Sequence, residues 1–212
     1  MLHGFHHPKF SDIDLVVYGI KENAKIRETL QALYADKNSG FKNEFETDAS
    51  MEGKQWRFKN YTVKEFVWHQ KRKQIYGLFH DAKSERTIKA EFEPVKAWSE
   101  ITSEYNSKAR ILRKDWVKIT ARVTADSEAP FIPSVYGITL LTVLSGAKEA
   151  LEAERVISYM EEFRAQVQKG ETVYVEGTLE EVVSPNNSFH QIALTYCPRY
   201  YEQVLKVTAL NP

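Results

Sequence analysis

Two carboxylates, Asp12 and Asp14, stand one residue apart where a polar stretch runs into the apolar residues Ile13, Leu15, Val16 and Val17. Residues i and i+2 of a strand project to the same face, so a strand entered here aims both carboxylates at one place. Held close and unpaired they repel, and a cation between them removes the conflict. Mg²⁺, or Mn²⁺ in its place, suits such a pair, because a hard cation is commonly held by one or two carboxylates together with substrate phosphates. Two such ions can activate an attacking oxygen and stabilise a leaving pyrophosphate. A third carboxylate on a neighbouring strand would complete that arrangement. Glu91 is the candidate and Glu93 the alternative. Taken alone, D-x-D is weak evidence, since acidic residues at a strand start are more often solvated or capping groups.

The elements that must position these groups are legible in part. Asp12 to Tyr18 reads as a buried strand, nearly continuous in apolar residues and closed by Gly19. Glu22 to Tyr34 reads as an amphipathic helix with Ile26, Leu30 and Leu33 on one face. A second helix starts at Thr62, which with Glu65 has the spacing of a capping box. Thr87 to Val95 alternates, with Ile88, Ala90 and Phe92 on one face and Lys89, Glu91 and Glu93 on the other. Pro94 marks its end or an edge. After Trp98 the chain turns β-rich, with strands expected at 117–123, 135–144, 172–183, 190–195 and 203–207. A helical turn is expected near Gly146 to Glu154, and a kink or bulge at Gly177. The expected fold class is α+β: a mixed sheet with helices over residues 1–105, then a small β-barrel-like accessory domain over 106–212.

The 212 residues suit one large domain or two small ones. Basic and acidic residues balance at 29 each, so whole-molecule attraction to nucleic acid is not indicated. Locally the balance breaks: seven basic residues and only Glu65 lie between Lys54 and Lys73. No apolar run reaches the length of a membrane span and no signal-peptide pattern opens the chain, which places the protein in the cytoplasm without a membrane partner. The lone Cys197 excludes an intrachain disulfide and a cysteine-based zinc site, and reads as a buried small hydrophobe. His3, His6 and His7 cluster, but solvated loop histidines are the simpler reading. Tyr196, Tyr200, Tyr201 and Phe189 are more readily core residues than a base-stacking platform.

The full string SDIDLVVYG resembles the acidic motif of nucleotidyltransferases of the DNA polymerase β type, in particular an archaeal-looking branch. KRKQIYGLF (71–79), PVKAWSEIT (94–102) and ARVTADSEAPFIPSVYGI (121–138) look like later parts of that branch, the last opening its appended β-rich domain. The resemblance implies a nucleotidyltransferase-like mixed sheet with Asp12 and Asp14 as Mg²⁺ ligands and Glu91 as the third carboxylate. It implies transfer of a nucleoside monophosphate from a nucleoside triphosphate to a hydroxyl, on nucleic acid or another acceptor. Ser11 and Lys9 beside the aspartates, and Lys71, Arg72 and Lys73, are the candidates to meet the triphosphate or an acceptor nucleic acid. The family carries a Gly-Ser turn about a dozen residues before its first aspartate; here Gly4 is followed by Phe5 and stands too near Asp12. Lys89 falls where that family has an aspartate. These departures keep a second expectation open, a catalytically impaired relative acting as a nucleic-acid-binding or interaction module.

Overall fold

The computed structural model describes residues 12–45, 58–83, 85–102 and 108–208. The chain divides into two compact units: Met1–Glu52 with Lys73–Glu100, and Gly53–Arg72 with Ile101–Pro212. The segment 53–72, with its helix, therefore belongs to the second unit although first-unit segments flank it in sequence.

The first unit is a four-stranded sheet with one helix. Its elements are β1 (Ile13–Tyr18), α1 (Ile20–Ala35), β2 (Phe41–Lys42), β3 (Tyr76–Asp81) and β4 (Arg86–Val95). The strand order is β1-β4-β3-β2, with β1 parallel to β4 and the other pairs antiparallel. Gly19 makes the turn from β1 into α1 at a φ of 101°, a region that favours glycine. The first turn of α1 is closed from far along the chain: Glu100 accepts from Ile20 N–H at 3.0 Å and from Ala97 N–H at 3.0 Å. A carboxylate there meets both the unpaired N–H groups and the positive end of the helix dipole. Asn23, buried, donates to the Val17 and Gly19 carbonyls and ties the helix back to the strand. Leu30 is the fully buried member of the expected apolar face, with Ile26 and Leu33 half-buried beside it.

The second unit holds the hydrophobic core. It comprises α2 (Val63–Lys71) and six strands: β5 (Arg110–Ala125), β6 (Ser134–Ser145), β7 (Ala153–Ser158), β8 (Thr172–Ser184), β9 (Asn187–Leu194) and β10 (Val204–Val207). Val117, Ile119, Ala121 and Val123 of β5 point inward as their alternation requires, and pack with Val173, Val175, Leu179, Ile192 and Leu194. The order is β10-β8-β5-β6-β7-β9, with a further pairing of β8 to β9. β8 changes neighbours on one side: Val173–Glu176 face β10, and Thr178–Ser184 face β9. Gly177 lies at the changeover. A Cβ there would stand 2.7 Å from Leu194 Cδ2 and 2.9 Å from the Ala193 carbonyl oxygen, so the glycine permits close strand packing rather than a bulge. α2 begins with the capping box expected at Thr62 and Glu65.

The expected fold class is corrected by these strands. The protein is mostly β, with two sheets and two α-helices among the described residues. It is not a helix-rich nucleotidyltransferase-like α+β arrangement, and its second sheet is not a closed barrel. The sequence reading missed β7, and the expected helical turn near 146–154 is a 3₁₀ segment over Lys148–Glu152. A second correction concerns β1. Expected to be buried, it lies at the sheet edge among the described residues, with Ile13, Leu15, Val16 and Tyr18 all exposed. A continuous apolar run suits burial on both faces, but strand order decides whether layers cover it, and strand order is not a local property.

Candidate functional site

Asp12 immediately precedes β1 and Asp14 lies within it; both are exposed. The parallel register sets Asp14 opposite Glu91 of β4, and β3 sets Tyr76 on the other side of Glu91. A single row, Asp14, Glu91, Tyr76, thus crosses three strands. The register begins at Ile13 with Ala90; carried one residue back, it sets Asp12 beside Lys89. The opposite sheet face carries Ala90 and Gly77, with Leu30 of α1 and the ring of Phe41 against the latter. That face packs against the helix at Gly77, and the other carries the charges.

Lys89 organises that charged face. Its ammonium forms ion pairs with Glu91 and, at 3.2 Å, with Glu44 in the loop after β2. It also lies 5.0 Å from the centre of the Tyr76 ring, a cation–π distance. Burial works against the charge on Lys89, but the hydrogen bonds to Glu91 and Glu44 outweigh it and its pKa is raised. Asp12 and Asp14 make no ion pair among the described residues.

As a cation site this face fits in part. Asp12 and Asp14 supply hard oxygen donors of the kind and number that hold Mg²⁺ when phosphates fill the remaining positions. Glu91 does not join them, because Lys89 holds it. Among the described residues no three His, Cys, Asp or Glu side chains form a group able to bind a metal ion. Glu93 stands opposite Val16, one row further along.

The basic candidates are placed elsewhere. Ser11 and Lys9 lie outside the described residues, as do His3, His6, His7, Lys54 and Arg57. Lys71 and Arg72 belong to the second unit, not to the unit that carries the aspartates. Arg72 stacks 4.3 Å over the Trp68 ring and pairs with Glu171 at 2.5 Å. Lys73 is buried rather than solvated. Sequence reasoning missed Glu44 and Tyr76 altogether; nothing in a polar loop singles out one glutamate, and only the β3–β4 register brings Tyr76 to this row.

In the second unit Tyr196 stacks on Tyr200 at 5.3 Å with planes 13° apart, and Tyr196 is 69% exposed. Tyr200 and Tyr201 pack on the core as expected, whereas Tyr196 does not. Cys197, expected to be buried, is half-buried beside Pro198 in the open hollow between these tyrosines.

Comparison with known proteins adds one relative. The chain is 28% identical over 201 residues to the protein described as "Uncharacterized protein MJ1086" from Methanocaldococcus jannaschii, a match covering 94% of this chain and 54% of the relative. The chain thus spans about half the length of the curated relative it matches. No family model matches, and no solved structure matches. No helix among the described residues is long and apolar enough to cross a membrane.

Proposed function

We propose that this chain transfers a nucleoside monophosphate from a nucleoside triphosphate to a hydroxyl acceptor, using the charged face of its first unit. The observation that carries the reading is the register of β1 on β4: Asp14 stands opposite Glu91, with Asp12 one step before the strand. In such a transfer the acceptor oxygen forms a bond to the α-phosphorus, and the bond from that phosphorus to pyrophosphate breaks. The hydroxyl proton leaves to a carboxylate of the Asp12–Asp14 pair. A divalent cation, when bound, offsets the charge on the phosphates and the leaving pyrophosphate. Asp12 and Asp14 are the residues that would hold it. Their exposure leaves room for a triphosphate on the open face. Nucleic acid is the acceptor to be tested first, and the cytoplasm is the setting that supplies the triphosphate. Incubation with α-labelled triphosphates and oligonucleotide acceptors, with and without Mg²⁺, tests this. Transfer that persists undiminished in Asp14→Asn defeats it.

One observation favours a second reading. Glu91 is held by Lys89, and no three-residue metal-binding group stands among the described residues. A catalytically impaired module that binds nucleic acid without turnover is consistent with both. Oligonucleotide binding that weakens steeply with salt, without label transfer at any Mg²⁺ concentration, would select it.

A further inference from the structure

The turn between β9 and β10 carries an exposed aromatic stack that the transfer chemistry does not use. Tyr196 lies nearly parallel to Tyr200, with ring centres 5.3 Å apart and planes 13° apart, yet it is 69% exposed. An open hollow of about 590 Å³ lies beside it, lined by Tyr196, Cys197, Pro198, Tyr200 and Tyr201. The stack is held from the protein side. Tyr200 donates to Glu162 Oε1 at 2.6 Å, and its ring contacts Phe58 and, edge to face, Tyr201. Buried Gln203 closes the turn: its amide accepts from Thr195 N–H at 2.7 Å and donates to the Thr195 carbonyl at 2.8 Å. An aromatic ring on so fixed a base loses little freedom when a second flat ring stacks on it.

The charges beside this turn point to the kind of ring. Lys59 is the first basic residue in the described part of the 54–73 stretch, and its backbone N–H donates to the Tyr201 carbonyl at 3.0 Å. The fold thus brings the start of that basic stretch to the tyrosines. Lys59 and Arg199 both pair with Glu202, at 3.3 and 2.7 Å, so two cations share one carboxylate. Glu162 is engaged by Tyr200, and its Oε2 is withdrawn from solvent. The Lys59 side chain is 68% exposed, and Arg199 lies 3.8 Å over the Trp116 ring. We propose that this turn is a binding site for single-stranded nucleic acid: a base stacks on Tyr196 beside the hollow, and backbone phosphates meet Lys59 and Arg199. Flat bases joined by anions match an aromatic face whose rim has more cations than carboxylates; an uncharged proline-rich peptide would match only the rings. Every base has a flat face, so the site takes single strands with little regard to sequence. The inference rests on the nucleic-acid-binding reading for its partner and adds the place where that partner sits.

Fluorescence anisotropy of the full chain tests this, with a labelled strand of about twelve thymidines and the same strand made abasic throughout. The two strands share their phosphates and differ in their bases. The wild type is expected to bind the thymidine strand about tenfold more tightly than the abasic one, and Tyr196→Ala to bring the two to equal affinity. Tyr196→Trp should keep the preference and Tyr196→Leu should lose it, a split that a merely apolar role would not produce. Lys59→Gln should weaken both strands alike and reduce the slope of log affinity against log salt by about one. An unchanged preference in Tyr196→Ala overturns the proposal, as does tighter binding of a labelled oligoproline peptide than of the thymidine strand. Wild-type binding to neither strand defeats the nucleic-acid-binding reading together with this site. Binding that ignores Tyr196 removes the site alone and leaves that reading standing.

Discussion

Acidification should unlatch α2 from β10 through one histidine. His69 is fully buried; its Nδ1 lies 2.7 Å from the Glu65 carbonyl oxygen, and its Nε2 accepts from Val207 N–H at 3.2 Å. The ring must be neutral to make both bonds, with the proton on Nδ1. Burial lowers its pKa to about 4 from the ordinary 6.5, and the nearby Arg72 and Lys206 push the same way, against Glu65. Because the folded pKa is depressed, the contribution of His69 is complete above pH 6.5. It falls as the pH drops from there towards 4, where the unfolded chain takes up a proton that the folded one refuses. At about 1.4 kcal/mol per pKa unit, the full effect is on the order of 3 kcal/mol, of which about 2 kcal/mol is lost between pH 7 and pH 5. Urea unfolding followed by tryptophan fluorescence at pH 7, 6 and 5, for wild type and His69→Gln, measures it. The variant is less stable at pH 7 but should lose about 2 kcal/mol less than the wild type on going to pH 5. Equal losses in the two proteins would refute the reasoning, since the remaining pH dependence comes from carboxylates common to both.

Asp14→Asn should reduce nucleotidyl transfer about 100-fold or more, because several kcal/mol of phosphate charge stabilisation are at stake. The same change should leave unfolding within about 0.5 kcal/mol of wild type, since Asp14 is exposed. Glu100→Ala removes the acceptor for the Ile20 and Ala97 N–H groups; a loss of about 1–2 kcal/mol is expected, read as faster amide exchange at the start of α1. Thr62→Ala breaks the capping box of α2 and should cost about 1 kcal/mol in urea unfolding. Gly177→Ala drives a methyl towards Leu194 and the Ala193 carbonyl, and should lower stability by about 1–3 kcal/mol.

Some features were settled by the sequence alone. The Thr62–Glu65 capping box is a contact three residues apart, and its spacing suffices to specify it. The alternation of Ile88, Ala90 and Phe92 with Lys89, Glu91 and Glu93 assigned the two faces of β4 correctly, because the strand period of two is local. The inward face of β5 followed for the same reason. The placing of Asp12 and Asp14 at the mouth of a strand also came from local pattern.

Tertiary structure decided the rest. The apolar composition of β1 could not reveal that it is an exposed edge among the described residues, since coverage depends on which strands lie beside it. The expected α+β class, a mixed sheet with helices followed by a small β-barrel-like domain, gave way to a mostly β protein with two sheets, because most of the chain pairs as strands whose partners are distant in sequence. The basic run ending at Lys73 looked like a solvated phosphate-binding strip until Trp68, Glu171 and burial claimed Arg72 and Lys73. The neighbours of Asp14 come from β4, nearly eighty residues later, and the ammonium that holds Glu91 stands two residues from it on the same strand. Residue spacing could nominate Glu91 as a ligand. Only the folded sheet, by bringing Glu44 and Tyr76 to Lys89, determined that its carboxylate already has a cation.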